Sequence, residues 1–203
     1  WAMVAAIMAL TPDGTPESLP ADLALIGLDL PGIQETVYTI TSRGAGKSVR
    51  GRSAFVQLLV HAITERIVHE LGLCRANVLV AAGGNALLLC GWTTGLKQYL
   101  EELDLEVNRT LFGSQSPQAF AGFRGDLALA LAVESVPWDC LYYPNGTLLA
   151  GDTYVSVWQY HEKRLKDQLR QAKQRPFGAL LANENDLRVF FQPDQIDSSR
   201  FCA

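Results

Sequence analysis

The strongest constraint on this chain is a double-glycine turn set between two apolar runs. Residues 77–82 (NVLVAA) and 86–90 (ALLLC) flank Gly83-Gly84-Asn85. A tight turn of this kind favours positive φ at its centre, which glycine adopts without steric cost, so the stretch predicts a β-hairpin. Another apolar run, residues 23–29, reads as a buried strand that ends on an acid, Asp29.

The remaining pattern fits around these strands. Pro31-Gly32 turn the chain, and residues 33–40 predict a short helix. Residues 41–52, TSRGAGKSVRGR, read as a glycine-rich basic loop. Ser53 is expected to cap the next helix, in which Phe55, Leu58, Leu59, Ala62, Ile63, Ile67 and Leu71 recur at helical spacing before Gly72 stops it. After the hairpin, residues 95–108 predict a second amphipathic helix through Leu96, Leu100, Leu103 and Val107, and residues 126–133 a fourth strand. The order β-α-β-β-α-β is the ferredoxin-like plan of an α+β fold, and it covers residues 23–136. Residues 1–22 are expected to be an N-terminal segment or linker, and residues 137–203 a helical extension. In the extension, residues 153–174 predict a long charged helix ending before Pro176, residues 177–181 its continuation, and residues 187–191 one more strand.

Composition narrows the class. Apolar residues make up 48% and charged residues 19%, as in a well-packed soluble domain. A net charge of −4 argues against a chain that coats nucleic acid over its whole surface, while leaving room for a local basic patch. Cys74, Cys90, Cys140 and Cys202 form no C-x-x-C pair and suggest neither a zinc site nor a disulfide framework; buried thiols in a reducing compartment are expected. The opening WAMVAAIMAL is too short to span a bilayer and lacks the basic flank of a signal peptide, so no membrane partner and a cytoplasmic location are expected. The chain starts at Trp1 and stops at Phe201-Cys202-Ala203, where a C-x-x-C could begin; a piece of a longer protein is expected.

Three constellations bear on chemistry. Gly44-Ala45-Gly46-Lys47-Ser48 ends like a phosphate-binding P-loop, but Thr41 stands where that motif needs its first glycine. The segment still carries Arg43, Lys47, Arg50 and Arg52 without an acid, beside Ser48 and three glycines, and is expected to meet phosphate or a nucleic-acid backbone. Second, a strand-end acid followed by a glycine hairpin is the skeleton of a nucleotide-polymerising palm, in which carboxylates at both places hold two metal ions. Asp29 fits the first place. The second falls on Asn85 or Ala86, neither of which is charged, so two-metal catalysis by this chain alone is not expected, and Asp29 can at most share one hydrated Mg²⁺ with phosphates. Third, His61, Glu65 and His69 follow i, i+4, i+8 spacing, which drifts about 80° around a helix; a solvated face is expected, and His161 sits apart on the charged helix. There, Lys163, Arg164, Lys166, Arg170, Lys173 and Arg175 form either a phosphate-contacting or a solvated face.

Longer motifs carry a family resemblance. Asp29-Leu30-Pro31-Gly32-Ile33-Gln34, the stretch TSRGAGKSVRGRS from Thr41 to Ser53, and NVLVAAGGNALLL resemble the first palm of the large subunit of type III CRISPR effector complexes. Trp158, Leu165, Ala172-Lys173, Arg175 and Phe177 resemble the segment before that family's small zinc-binding insert. The match runs over about residues 25–182 in consistent order. Two positions depart from the family pattern: Leu28 replaces a glycine before the strand-end acid, and Ala86 an aromatic after the hairpin asparagine.

The resemblance implies two facing palms with ATP bound between them, cyclic oligoadenylate made in an RNA-guided antiviral complex, and a catalytic acid pair that belongs to the second palm. On that reading Asp29, Gly83, Gly84 and Asn85 contact nucleotide, and Arg43, Lys47, Ser48, Arg50 and Arg52 contact phosphate or nucleic acid. No residue of this chain is catalytic, and the chain alone is expected to be inactive. ATP with Mg is expected only with the second palm present. The implied partners are that palm, the other complex subunits, guide RNA and target RNA. The alternative is a structural scaffold palm that binds no nucleotide and contacts guide RNA or neighbouring subunits.

Overall fold

The computed structural model describes residues 22–38, 45–113, 125–137, 147–150 and 153–182. Four strands form one sheet: β1 (Asp22–Asp29), β2 (Val78–Ala82), β3 (Asn85–Gly91) and β4 (Ala130–Pro137), in the order β2-β3-β1-β4 with neighbours antiparallel. Helix α1 (Ile33–Tyr38) and the 26-residue α2 (Ala45–Glu70) connect β1 to β2, and α3 (Leu96–Phe112) connects β3 to β4. This is the expected α+β ferredoxin-like arrangement. A separate hairpin of β5 (Thr147–Ala150) and β6 (Thr153–Ser156) leads into α4 (Val157–Gln174), and the short α5 (Gly178–Leu181) follows.

Strand alternation divides the sheet into two faces. Ala24, Ile26 and Leu28 of β1 join Ala86, Leu88 and Cys90 of β3 beneath α2 and α3, where Val56, Val60, Ile63, Ile67, Leu96, Leu100 and Leu103 close the main core. The intervening residues Leu23 and Leu25, with Leu89 and Val136, face α4 and meet Leu165, Leu169, Val157 and Trp158. Gly27 belongs to this second face: a Cβ there would lie 2.8 Å from Leu169 Cδ1 and 3.1 Å from Leu165 Cδ2, so its bare backbone lets α4 seat closely. A ferredoxin-like sheet thus has both faces covered over β1 and β4. At the hairpin end of β2 and β3 the cover ends, leaving Val80, Ala81, Ala82 and Asn85 exposed.

Several boundaries depart from expectation. The supposed loop 41–52 is helical from Ala45 onward, so Ser53 lies inside α2 and caps nothing. Intrinsically good helix formers such as Arg50 and Arg52 outweigh the two glycines, and Arg52 Nη1 donates to the Thr36 carbonyl of α1 at 2.8 Å, fastening the early turns of α2. The fourth strand begins at Ala130 and not at 126. Leu129 is held before it by Asn108: the Leu129 amide donates to Asn108 Oδ1 at 2.7 Å, and Asn108 Nδ2 donates to the Leu129 carbonyl at 3.0 Å. Asn108 also shows that α3 runs on past its expected end, to Phe112. The charged helix starts at Val157 because Ser156 caps it, its Oγ accepting from the Gln159 amide at 3.1 Å, and residues 153–156 form a strand instead. Cys74 is exposed, contrary to the expected buried thiol, whereas Cys90 is buried. The expected strand at 187–191, Arg43, Cys140 and Cys202 lie outside the described residues.

Candidate functional site

The two ends of the proposed constellation meet. Asp29 is the Cα partner of Asn85 across the β1–β3 pair, so both side chains project from the same face at the same edge. The turn between β2 and β3 is the two-residue Gly83-Gly84, with φ of 62° and 94°. Gly84 carbonyl accepts from the Leu30 amide at 3.0 Å, tying the turn to the end of β1. Gly84 is favoured by its left-handed φ, and a Cβ there would also meet the tip of Ile33, 2.0 Å from Cδ1. Gly83 is open, with nothing within 4 Å of a built Cβ. The four residues Asp29, Gly83, Gly84 and Asn85 therefore come together, with Gly84 buried and Gly83 and Asn85 exposed.

Asp29 does not stand alone. Lys173 Nζ from the last turn of α4 pairs with Asp29 Oδ2; the Asp29 side chain is 15% exposed and the Lys173 side chain 39%. This partner was on the charged helix in the sequence, with no signal tying it to a strand-end acid about 140 residues away. Among the described residues, no group of three His, Cys, Asp or Glu is placed to hold a metal ion. The donor set at this edge is one carboxylate, one amide and one ammonium. It fits an anionic phosphate better than a metal held by protein alone, and Mg²⁺ fits only as a companion of the phosphates.

The basic segment resolves into parts. Lys47, Ser48 and Arg50 lie in the first turns of α2, and Arg52 reaches α1 as described above. On α4, most of the basic face is already paired. Lys166 bonds Glu162 at 2.6 Å, Arg170 pairs with Asp167, and Arg164 Nε lies 3.0 Å from Glu134. His61 is exposed and stands 4.0 Å from Glu65, which also pairs with Arg75 at 3.1 Å, in keeping with a solvated face.

The residue that sequence reasoning missed is Glu134. It points from β4 toward α4, only 5% exposed, and accepts from Gln168 Nε2 at 2.7 Å while lying 3.0 Å from His161 Nδ1. His161 is buried with it and does not belong to a solvated surface. The one available signal was an acid inside the apolar run ALALAVESV.

Fold and site together define an α+β palm-like domain with a helical extension. The chain belongs to the family described as Csm1 subunit domain B, whose profile matches residues 22–193. That family places it in the first palm region of a type III CRISPR large subunit. It is 30% identical over 156 residues to the CRISPR system single-strand-specific deoxyribonuclease Cas10/Csm1 (subtype III-A) of Thermococcus onnurineus, covering 77% of this chain and 18% of that protein. The protein of the same description from Enterococcus italicus is 29% identical over 143 residues, covering 70% of this chain and 17% of that protein. The chain thus spans less than a fifth of the length of these curated relatives. Among solved structures, the apo Csm1–Csm4 cassette superposes with a TM-score of 0.67 at 25% identity, over 91% of this chain and 24% of that one. The Csm1–Csm4 cassette in complex with one ATP gives 0.66 at 25% identity, over 92% and 24%, and the cassette in complex with cA4 gives 0.62 at 26%, over 84% and 22%. Among the described residues, no helix is long and apolar enough to cross a membrane.

Proposed function

We propose that this domain is the non-catalytic first palm of its subunit and supplies one side of an ATP-binding interface used to make cyclic oligoadenylate. The observation that carries the reading is the register of Asp29 with Asn85. A polymerising palm needs a second carboxylate where Asn85 stands, and the only acid of the pair is already matched by Lys173. The edge retains groups that bind a nucleotide: an exposed amide, an open glycine backbone and an ammonium. The similar cassettes solved with ATP and with cA4 support it. On this reading the second palm of the same subunit completes the site, Mg²⁺ arrives with ATP, and the complex, with its guide and target RNA, works in the cytoplasm. Asp29, Gly83, Gly84 and Asn85 contact the nucleotide on this reading, and Arg43, Lys47, Ser48, Arg50 and Arg52 are its contacts to phosphate or RNA.

This chain alone, incubated with ATP and Mg²⁺ or Mn²⁺, is expected to yield no oligoadenylate. Within a subunit that contains both palms, Asn85→Ala is expected to weaken ATP binding by about tenfold in calorimetry, the size of a lost buried hydrogen bond to a charged ligand. Product from the isolated chain that disappears in Asp29→Ala would sink the non-catalytic reading.

The scaffold reading has its own supporting observation. Gly84 is explained by its left-handed backbone and Asp29 by Lys173, so neither needs a ligand to account for it. It predicts that ATP affinity of the two-palm subunit is indifferent to every substitution at Asp29 and the hairpin.

A further inference from the structure

The helix that covers the second face of the sheet is anchored firmly at one end and lightly at the other. Near its start and middle, His161, Arg164 and Gln168 converge on the buried Glu134, and Leu165 and Leu169 seat on Gly27. At its last turn the contact with the sheet is the Lys173–Asp29 pair, with the ammonium side 39% exposed. The backbone of Lys173 is therefore fixed relative to the strand end, while its long side chain keeps a half-open head. Asp29 lies opposite Asn85 and next to the Gly83-Gly84 turn. Any phosphate group seated on that edge comes within reach of the same ammonium.

We propose that Lys173 is a phosphate-binding residue of this nucleotide site and that Asp29 is its resting partner. An arriving triphosphate offers more negative charge than one carboxylate, in a setting where Lys173 is only partly hydrated, so the ammonium exchanges Asp29 for a phosphate oxygen. The exchange leaves the Asp29 carboxylate free to face the cation that accompanies the triphosphate. The pair thereby keeps a strand-end acid and a nearby cation compensated when no ligand is bound. This rests on the nucleotide-binding reading above; the scaffold reading gives Lys173 a purely structural role.

The test is calorimetry on the full-length subunit that carries this domain, titrated with ATP and separately with adenosine, reading both affinity and stoichiometry. In Lys173→Met, one class of ATP site is expected to weaken by about tenfold while adenosine binding stays unchanged. Lys173→Arg is expected to recover most of the ATP affinity. Asp29→Asn is expected to tighten ATP binding when divalent ions are withheld, because it releases the ammonium. Unchanged ATP affinity in Lys173→Met overturns the inference while leaving nucleotide binding intact. Equal weakening of ATP and adenosine also overturns it, since it marks a structural loss. A wild-type subunit that binds neither ligand removes the nucleotide reading itself, and this inference with it.

Discussion

The two faces of one sheet are held by different chemistry. Under α2 and α3, Ile26, Leu28 and Leu88 meet Ile63, Ile67, Leu100 and Leu103 in an apolar layer. Under α4, the alternate residues of the same strands meet a smaller apolar cluster flanked by Glu134 and Asp29, each matched by α4 side chains. Apolar burial is non-directional and scales with area. A buried acid is tolerated only while its partners stay in place. The first face is therefore a foundation, and the second is a seat whose polar contacts can be exchanged.

The largest expected effect falls on the foundation. Ile67 is fully buried, and Ile67→Ala is expected to destabilise the domain by about 4 kcal/mol, read as a lowered urea midpoint. The seat comes next. Glu134→Ala leaves His161 and Gln168 facing an empty acceptor position, at a cost of about 3 kcal/mol. Most of that belongs to the buried His161 and the half-buried Gln168, because the Arg164 side chain is 54% exposed and its pair is screened by solvent. A Glu134→Ala variant within 1 kcal/mol of wild type would mean that Leu165 and Leu169 alone hold α4, and the contrast between the faces would collapse.

The same contrast explains what was legible in the sequence. Strand and helix types followed from apolar spacing, and the spacing is densest on the foundation face. The hairpin was legible because Gly83-Gly84 admits few backbones. The sequence puts an acid, Asp29, at a strand end and the neutral Asn85 at the hairpin, while their pairing across β1 and β3 appears only in the fold. Lys173 and Glu134 could not be joined to anything, because side-chain pairing across distant segments leaves no local period. The buried asparagines were invisible for a related reason. Asn108 stands in for a strand neighbour at Leu129. Asn77, fully buried, donates to the Leu89 carbonyl at 2.8 Å while accepting from the Cys74 amide at 3.0 Å. Each satisfies backbone groups where regular pairing is incomplete, a need that exists only after folding. The start of α2 departs from the expected loop for a local reason: the helix preference of the residues between the glycines outweighs the glycines themselves.

The foundation face has an ionisable group of its own, at its margin, and it offers the finest test of how dry that face is. Asp104 lies on α3 where the helix meets the edge of β4. Burial pushes its carboxyl up to about 6, while hydrogen bonds from the Asn108 side chain and the Leu131 backbone pull the other way. An unfolded aspartate titrates at about 3.9, so between these values the folded chain binds the proton that the unfolded chain releases. Stability is therefore gained as pH falls from 7 toward 4, and the penalty is fully present above the folded value. Its size is about 2 kcal/mol at neutral pH, from roughly two pKa units less an allowance for partial exposure. Asp104→Asn keeps an acceptor for the Leu131 amide and removes the charge. It is expected to raise stability by about 2 kcal/mol at pH 7 and to flatten the dependence between pH 5 and 7, measured as urea midpoints at pH 5, 6 and 7. If wild type and Asp104→Asn show the same slope, the carboxylate is hydrated at neutral pH. Water then reaches the seam between α3 and β4, and the apolar face is open along the edge that the sheet leaves unpaired among the described residues.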